Sequence, residues 1–264
     1  MRPRPQLPCS LAGLPSGRAF DTRTPAAVPR SRRALLRTAV AGTAAAGAGL
    51  ALGSVFPASA ASRDQESAER VITPAQALRR LAAGNQRWRT LRQEHPHESA
   101  YLRRRLVEGQ QPFAIVLGCV DSRVPPELVF DQGLGDPLTE RSAGEVLDEA
   151  VLGSIAYGVL ELRVPLVLVL AHQSCGAVAA TVHADETGEP LPAHIQYLAD
   201  QIRPSIDHGQ HGDARVDATI NAHVRGVRRR LAAEPDLAVK VAAGELAVVA
   251  ARYELRDQHV RTLS

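Results

Sequence analysis

Two apolar runs in this sequence end in side chains that can do chemistry. In the first, Phe113–Leu117 leads to Cys119, Asp121 and Arg123 at alternate positions, and Val124-Pro125-Pro126 then stops the run. In the second, "VPLVLVLAH" (164–172) ends in His172, and Cys175 follows three residues later. Cys, His and Cys make a three-ligand zinc set, which leaves the fourth position for water or substrate, as catalytic zinc sites do. The H-x-x-C spacing lets one strand-to-helix turn supply two ligands. At a helix N-terminus Cys175 is favoured as a thiolate by the helix dipole. Two other arrangements fit the cysteines of an exported chain: a Cys119–Cys175 disulfide, or two inert buried thiols. Against the disulfide, His172 is a third polar group at the same strand end. Asp121 is near enough to Cys119 to reach a metal or its water, and Arg123 can grip that carboxylate bidentately and hold it ionised. The plain alternative is a turn-forming Asp paired to a surface Arg.

Side chains 53 or more positions apart meet only if the elements carrying them meet. Strands are expected at 113–118, 137–142 and 164–172, the last a continuous apolar run of the kind buried on both faces of a parallel sheet. Helices are expected at 125–130, 147–162, from about 175, at 191–206 and at 214–232. The end of the chain reads as a hairpin turning near Arg256-Asp257. Thr73-Pro74 opens a helix over 74–92, with Thr as N-cap and Pro in the first turn. The polar stretch His95–Arg105 sets this helix apart, as an arm. Strands alternating with helices predict an α/β fold: a mainly parallel central β-sheet flanked by helices, with an N-terminal helical arm and a C-terminal β-hairpin. In open parallel sheets, ligand sites gather at the carboxyl ends of strands, which is where Cys119 and His172 stand.

Charge divides the 264 residues unevenly. The net charge is +3, but residues 1–60 hold eight Arg and one acid, leaving 23 basic and 27 acidic residues in 61–264. The body is mildly acidic and has no basic patch interleaved with aromatics, which argues against nucleic-acid binding. The front carries Arg32-Arg33, a weakly apolar Ala/Gly-rich stretch and Ala58-Ser59-Ala60. That order predicts a twin-arginine signal peptide, export through the twin-arginine machinery and a secreted or cell-envelope location. A retained membrane anchor at 38–55 is the alternative. The expected organisation is a targeting segment at 1–60, a flexible linker at 61–72 and one catalytic domain at 73–264. Of three cysteines, Cys9 lies in the removable part.

C-x-D-S-R followed some fifty residues on by H-x-x-C resembles the β-class carbonic anhydrases. "TPAQALRRLAAGNQRW", "QPFAIVLGCVDSRVPPELVFDQGLGDPL", "AVLGSIAYGVLELRVPLVLVLAHQSCGAV" and "GELAVVAARYEL" are similar to family segments in family order, across roughly residues 72–260. The resemblance implies Zn²⁺ held by Cys119, His172 and Cys175, with Asp121 and Arg123 as the catalytic dyad. It implies Asp121 as a possible fourth ligand in a resting state. Gln110 and Gly176 match positions that face substrate, Gly176 by keeping the backbone close. The implied reaction is reversible hydration of CO₂ to bicarbonate and a proton by attack of zinc-bound hydroxide, in a homodimer or homotetramer.

Three positions depart from the family pattern. Glu145 stands where Asn is usual, Glu140 where an aliphatic residue is common, and Val116 where bicarbonate-inhibited members often carry Trp. Rival readings are a carbonyl sulfide or carbon disulfide hydrolase on the same scaffold, a non-catalytic zinc- or bicarbonate-binding module, and a disulfide redox protein. His183, His194 and His223 are expected on solvated helix faces.

Overall fold

The computed structural model describes residues 72–264; the targeting segment and all but the last residue of the linker lie outside the described residues. In chain order the elements are α1 (Pro74–Arg89), α2 (Ala100–Arg105), β1 (Ala114–Gly118), α3 (Pro126–Val129), β2 (Pro137–Arg141), α4 (Glu149–Leu160), β3 (Leu166–His172), α5 (Gly176–Thr187), α6 (Ala193–Ile202), α7 (Gly212–Ala233), α8 (Pro235–Ala242), β4 (Ala247–Tyr253) and β5 (Val260–Leu263). The strands form one sheet in the order β2-β1-β3-β4-β5. Four are parallel, and β5 closes one edge antiparallel to β4.

The strand sequences explain the layering. Alternate side chains of a strand point to opposite faces. In β1, Ile115 and Leu117 pack with α4, α5 and α7, whereas Ala114 and Val116 pack with α1 and the residues around α3. In β3, Val167 and Val169 join the first cluster, and Leu166, Leu168 and Leu170 the second. A strand that feeds two cores must be apolar throughout, which is why β1 and β3 read as unbroken runs.

The helix expected at the N-terminus is present, with a capping box: Thr73 Oγ1 accepts from Gln76 N, and Gln76 Oε1 accepts from Thr73 N. Its Ala77 and Leu81 are buried on the sheet. Buried Asn85 ties it to distant segments, donating to Val129 O (3.1 Å) and Gln258 O (3.0 Å) and accepting from Val260 N (3.0 Å). The expected hairpin is β4–β5, with its turn at 255–257.

Several boundaries differ from expectation. The stretch 95–105 holds α2, capped by Ser99 Oγ, which accepts from Leu102 N. The helix expected at 191–206 ends at Ile202 and tightens into a 3₁₀ turn at Arg203–Ser205, where Pro204 has no N–H to continue it. α8 was not foreseen; Pro235 starts it, and only Leu237 of it is fully buried.

Candidate metal centre

β1 stops at Gly118, so Cys119 is the first residue past the sheet edge. β3 stops at His172 itself. Because the two strands are hydrogen-bonded neighbours in parallel, their carboxyl ends lie side by side. Cys175 is the N-cap of α5. The three side chains meet: their ligand atoms all lie within 4.8 Å of one another, and all three residues are buried. The thiols are free, with Sγ atoms 4.0 Å apart. Two sulfurs each about 2.3 Å from a tetrahedral zinc stand about 3.8 Å apart, so this spacing suits zinc.

The histidine is oriented for the same task. His172 Nδ1 hydrogen-bonds the Gln173 carbonyl (2.9 Å), so Nδ1 carries the hydrogen and Nε2 presents a lone pair. That buried Nε2 has no hydrogen-bond partner. An orphaned acceptor between two thiols is a donor set that a metal would satisfy. The thiols share a proton through their contact. The hydrogen bond from Cys175 brings the Cys119 pKa down to about 4, helped by His172 and by Gly144 N–H, while the same contact and burial push Cys175 up. Ionising both thiols together calls for a divalent cation to offset the charge.

Asp121 and Arg123 stand at the rim. Asp121 Oδ1 accepts from the Arg123 backbone N–H and Nε (2.9 Å each), and Oδ2 from a terminal Arg123 nitrogen at 2.7 Å. The guanidinium also donates to Ser174 O (3.2 Å), which links the β1 loop to the β3 loop. The Arg123 side chain, above all, holds the Asp121 pKa down to about 2. Asp121 Oδ2 lies 3.8 Å from His172 Nε2, so the carboxylate borders the ligand set while engaged by arginine.

Two expected residues stand apart or in open space. Gln110 precedes β1, at the end opposite Cys119, and β1 spans about 16 Å. It is exposed and lines a cavity of about 540 Å³ with Arg80, His97 and Asp136, so one copy of the chain does not bring it to its own thiols. Gly176 opens α5 as expected, but a Cβ there would meet nothing within 4 Å.

Four further residues shape the site. Arg141, at the end of β2 and in register with Gly118, donates to the carbonyls of Cys119 (2.8 Å) and Asp121 (2.7 Å), fixing the loop between them. The 3₁₀ turn Ala143–Glu145 crosses beneath, and Gly144 N–H donates to Cys119 Sγ (3.4 Å). Glu145, flagged as a departure, is 1% exposed with Oε1 unpartnered; burial and then the charge of Cys119 raise its pKa well above the carboxylate norm. His223 corrects an expectation. It is buried, and its Nε2 donates to Gly144 O at 2.7 Å. The α-helical period carries it inward: Ile220, Val224, Val227 and Leu231 form the buried stripe of α7, and position 223 falls on that stripe. His183 and His194 are exposed, as expected.

Fold and site together define an α/β protein with a Cys–His–Cys group able to hold a metal at the carboxyl edge of a parallel sheet. A family model described as carbonic anhydrase matches residues 114–260. "Carbonic anhydrase 2" of Mycobacterium tuberculosis is 41% identical over 186 residues, 70% of this chain and 90% of that one. The carbonic anhydrase of Mycolicibacterium smegmatis is 42% identical over 193 residues, 72% of this chain and 94% of that one. A tetrameric β-carbonic anhydrase from Sordaria macrospora superposes with a TM-score of 0.58 at 19% identity, covering 69% of this chain and 94% of its own, a likeness of fold. The chain belongs to the β-carbonic anhydrase family, and it is an enzyme of the carbonic anhydrase class.

Proposed function

We propose that the protein catalyses the zinc-dependent, reversible hydration of carbon dioxide to bicarbonate and a proton. The observation that carries this reading is the buried, unpartnered Nε2 of His172 between two free thiols, with an arginine-held carboxylate at their rim. Cys119, His172 and Cys175 would hold the ion. Zinc in that place supplies hydroxide at neutral pH by lowering the pKa of water toward ~7.

The chain's own residues set the direction of attack. Asp121, with its pKa near 2, is a carboxylate at any working pH and can only accept hydrogen bonds. It would accept a hydrogen bond from the attacking O–H group, which turns a lone pair toward the carbon. Arg123 keeps that carboxylate ionised and fixed in place through three contacts. It also opposes movement of Asp121 onto the metal, so the arginine-held arrangement is the working form and direct ligation a resting one. Gln110 reaches substrate, on this reading, only at the site of a second copy, which favours a homodimer or homotetramer.

Zinc content by elemental analysis, with a CO₂-hydration pH profile on the protein freed of residues 1–60, tests the reading. One zinc per chain and fast hydration are expected. A metal-free protein with full activity overturns it. A sulfide-release assay run alongside identifies a carbonyl sulfide or carbon disulfide hydrolase, should that activity exceed hydration.

A further inference from the structure

The turn Ala143–Glu145 has local bonds, Glu145 N–H to Ser142 O (3.2 Å) and Ser142 Oγ to Val146 O (2.7 Å), but neither engages the peptide groups of Gly144. Gly144 and Glu145 both have positive φ, at 67° and 53°. That region costs a non-glycine residue roughly 1 kcal/mol or more. Gly144 has a second constraint, because a Cβ there would come within 2.8 Å of Ile202 Cδ1. Glu145 adds a buried carboxyl whose Oε1 has no partner. Yet this turn places Gly144 N–H against Cys119 Sγ. The Gly144 carbonyl is held from another element by the buried bond from His223 Nε2, at 2.7 Å.

We propose that His223 is a positioning residue for the metal centre, acting through Gly144 on the thiolate of Cys119. The two peptide groups flanking the Gly144 Cα face opposite tasks. The leading N–H donates to sulfur, and the following C=O accepts from imidazole. Holding the carbonyl fixes the glycine torsions and so aims the N–H. An N–H donated to a thiolate stabilises its negative charge and directs its remaining lone pairs, and outer contacts of this kind govern metal affinity. The tautomer is set by the geometry: a carbonyl only accepts, so Nε2 carries the hydrogen. Burial favours the neutral ring, which leaves that single N–H for the bond. The same side chain reaches a cavity of about 650 Å³ between α6 and α7, so His223 is a wall between solvent space and the thiolate's support.

This inference rests on the zinc-enzyme reading above, and its test separates the two. His223→Phe keeps an aromatic ring, somewhat larger than imidazole, and removes the donor. His223→Gln keeps an N–H able to reach Gly144 O, and His223→Asn carries an amide too short to reach it. Zinc affinity is measured by chelator competition, and the thiolate-to-metal absorption is recorded on the cobalt(II)-substituted proteins. Wild type and His223→Gln are expected to agree. His223→Phe and His223→Asn are expected to bind zinc about 10-fold or more weakly, within the range for lost outer contacts, and to shift the cobalt–thiolate bands. If wild type binds zinc and the Phe and Asn variants match it in affinity and spectrum, the inference is overturned alone. If wild type holds no zinc, the zinc-enzyme reading falls and takes the inference with it. Should His223→Phe fail to fold, the Gln–Asn comparison decides, and equal affinities in that pair overturn the proposal.

Discussion

The division of labour around Asp121 predicts a separation of metal from rate. Asp121→Asn replaces an obligate acceptor by an amide that also donates, while Cys119, His172 and Cys175 are untouched. Zinc content should stay at the wild-type level and CO₂ hydration fall by about 100-fold or more, the usual scale for loss of a positioned proton acceptor. Wild-type turnover in this variant would make Asp121 a turn residue only. Glu145 predicts a pH effect. Its folded pKa is raised above the unfolded value, so its carboxyl is harmless below about 4.5 and increasingly destabilising as the pH climbs and the unfolded chain ionises. Glu145→Gln should therefore raise the melting temperature of the zinc-loaded protein more at pH 8.5 than at pH 5.5. A gap that does not change with pH would show that the carboxyl ionises as readily inside the fold as outside. The ligands and the Asp121–Arg123 pair were legible because each stands at the visible end of an apolar run. Arg141 was not, because its role depends on the register of β1 against β2, which neither strand states alone. His223 was legible in principle: three positions after Ile220 and four before Val227, it lies on an apolar stripe.

At the scale of elements, β1 and β3 announced themselves by serving two cores at once. The short helices α2 and α8 bury almost nothing, so they leave no apolar period to read. The sheet's partners for its two helical layers are more telling. α1 buries Ala77 and Leu81 on the sheet and pairs Arg80 with Asp136 and Arg87 with Asp131, and beyond these its buried amide, Asn85, has three backbone partners. Asn85→Ala would orphan the buried Val129 carbonyl and leave the part-buried Gln258 carbonyl and Val260 N–H to water, and the expected loss is about 2–4 kcal/mol of unfolding free energy, since an orphaned buried group costs about 1–3 kcal/mol and a part-buried one less. Urea denaturation measures this directly. A loss below 0.5 kcal/mol, at the level of an ordinary surface substitution, would show that water replaces the amide at no cost.

For the whole molecule, the charge division along the chain carries its own prediction. Arg32 and Arg33 precede an Ala/Gly-rich stretch and Ala58-Ser59-Ala60, the order on which we propose a twin-arginine signal, and residues 61–264 are mildly acidic. Changing both arginines to lysine should retain the precursor in the cytoplasm with its zinc centre intact, as read by fractionation and zymography. Unimpaired export of that variant would rule out the twin-arginine route.

Asn85 also sets a clock. Its partners Gln258 and Val260 lie 173 and 175 positions further along the chain, and α1, which carries it, is the first described helix. During synthesis from the N-terminus, α1 exists long before the strand edge it must grip has left the ribosome. This tie therefore closes only after the chain from Asn85 through Val260 has been made. The twin-arginine route proposed for this chain carries folded cargo and would have to wait for that tie.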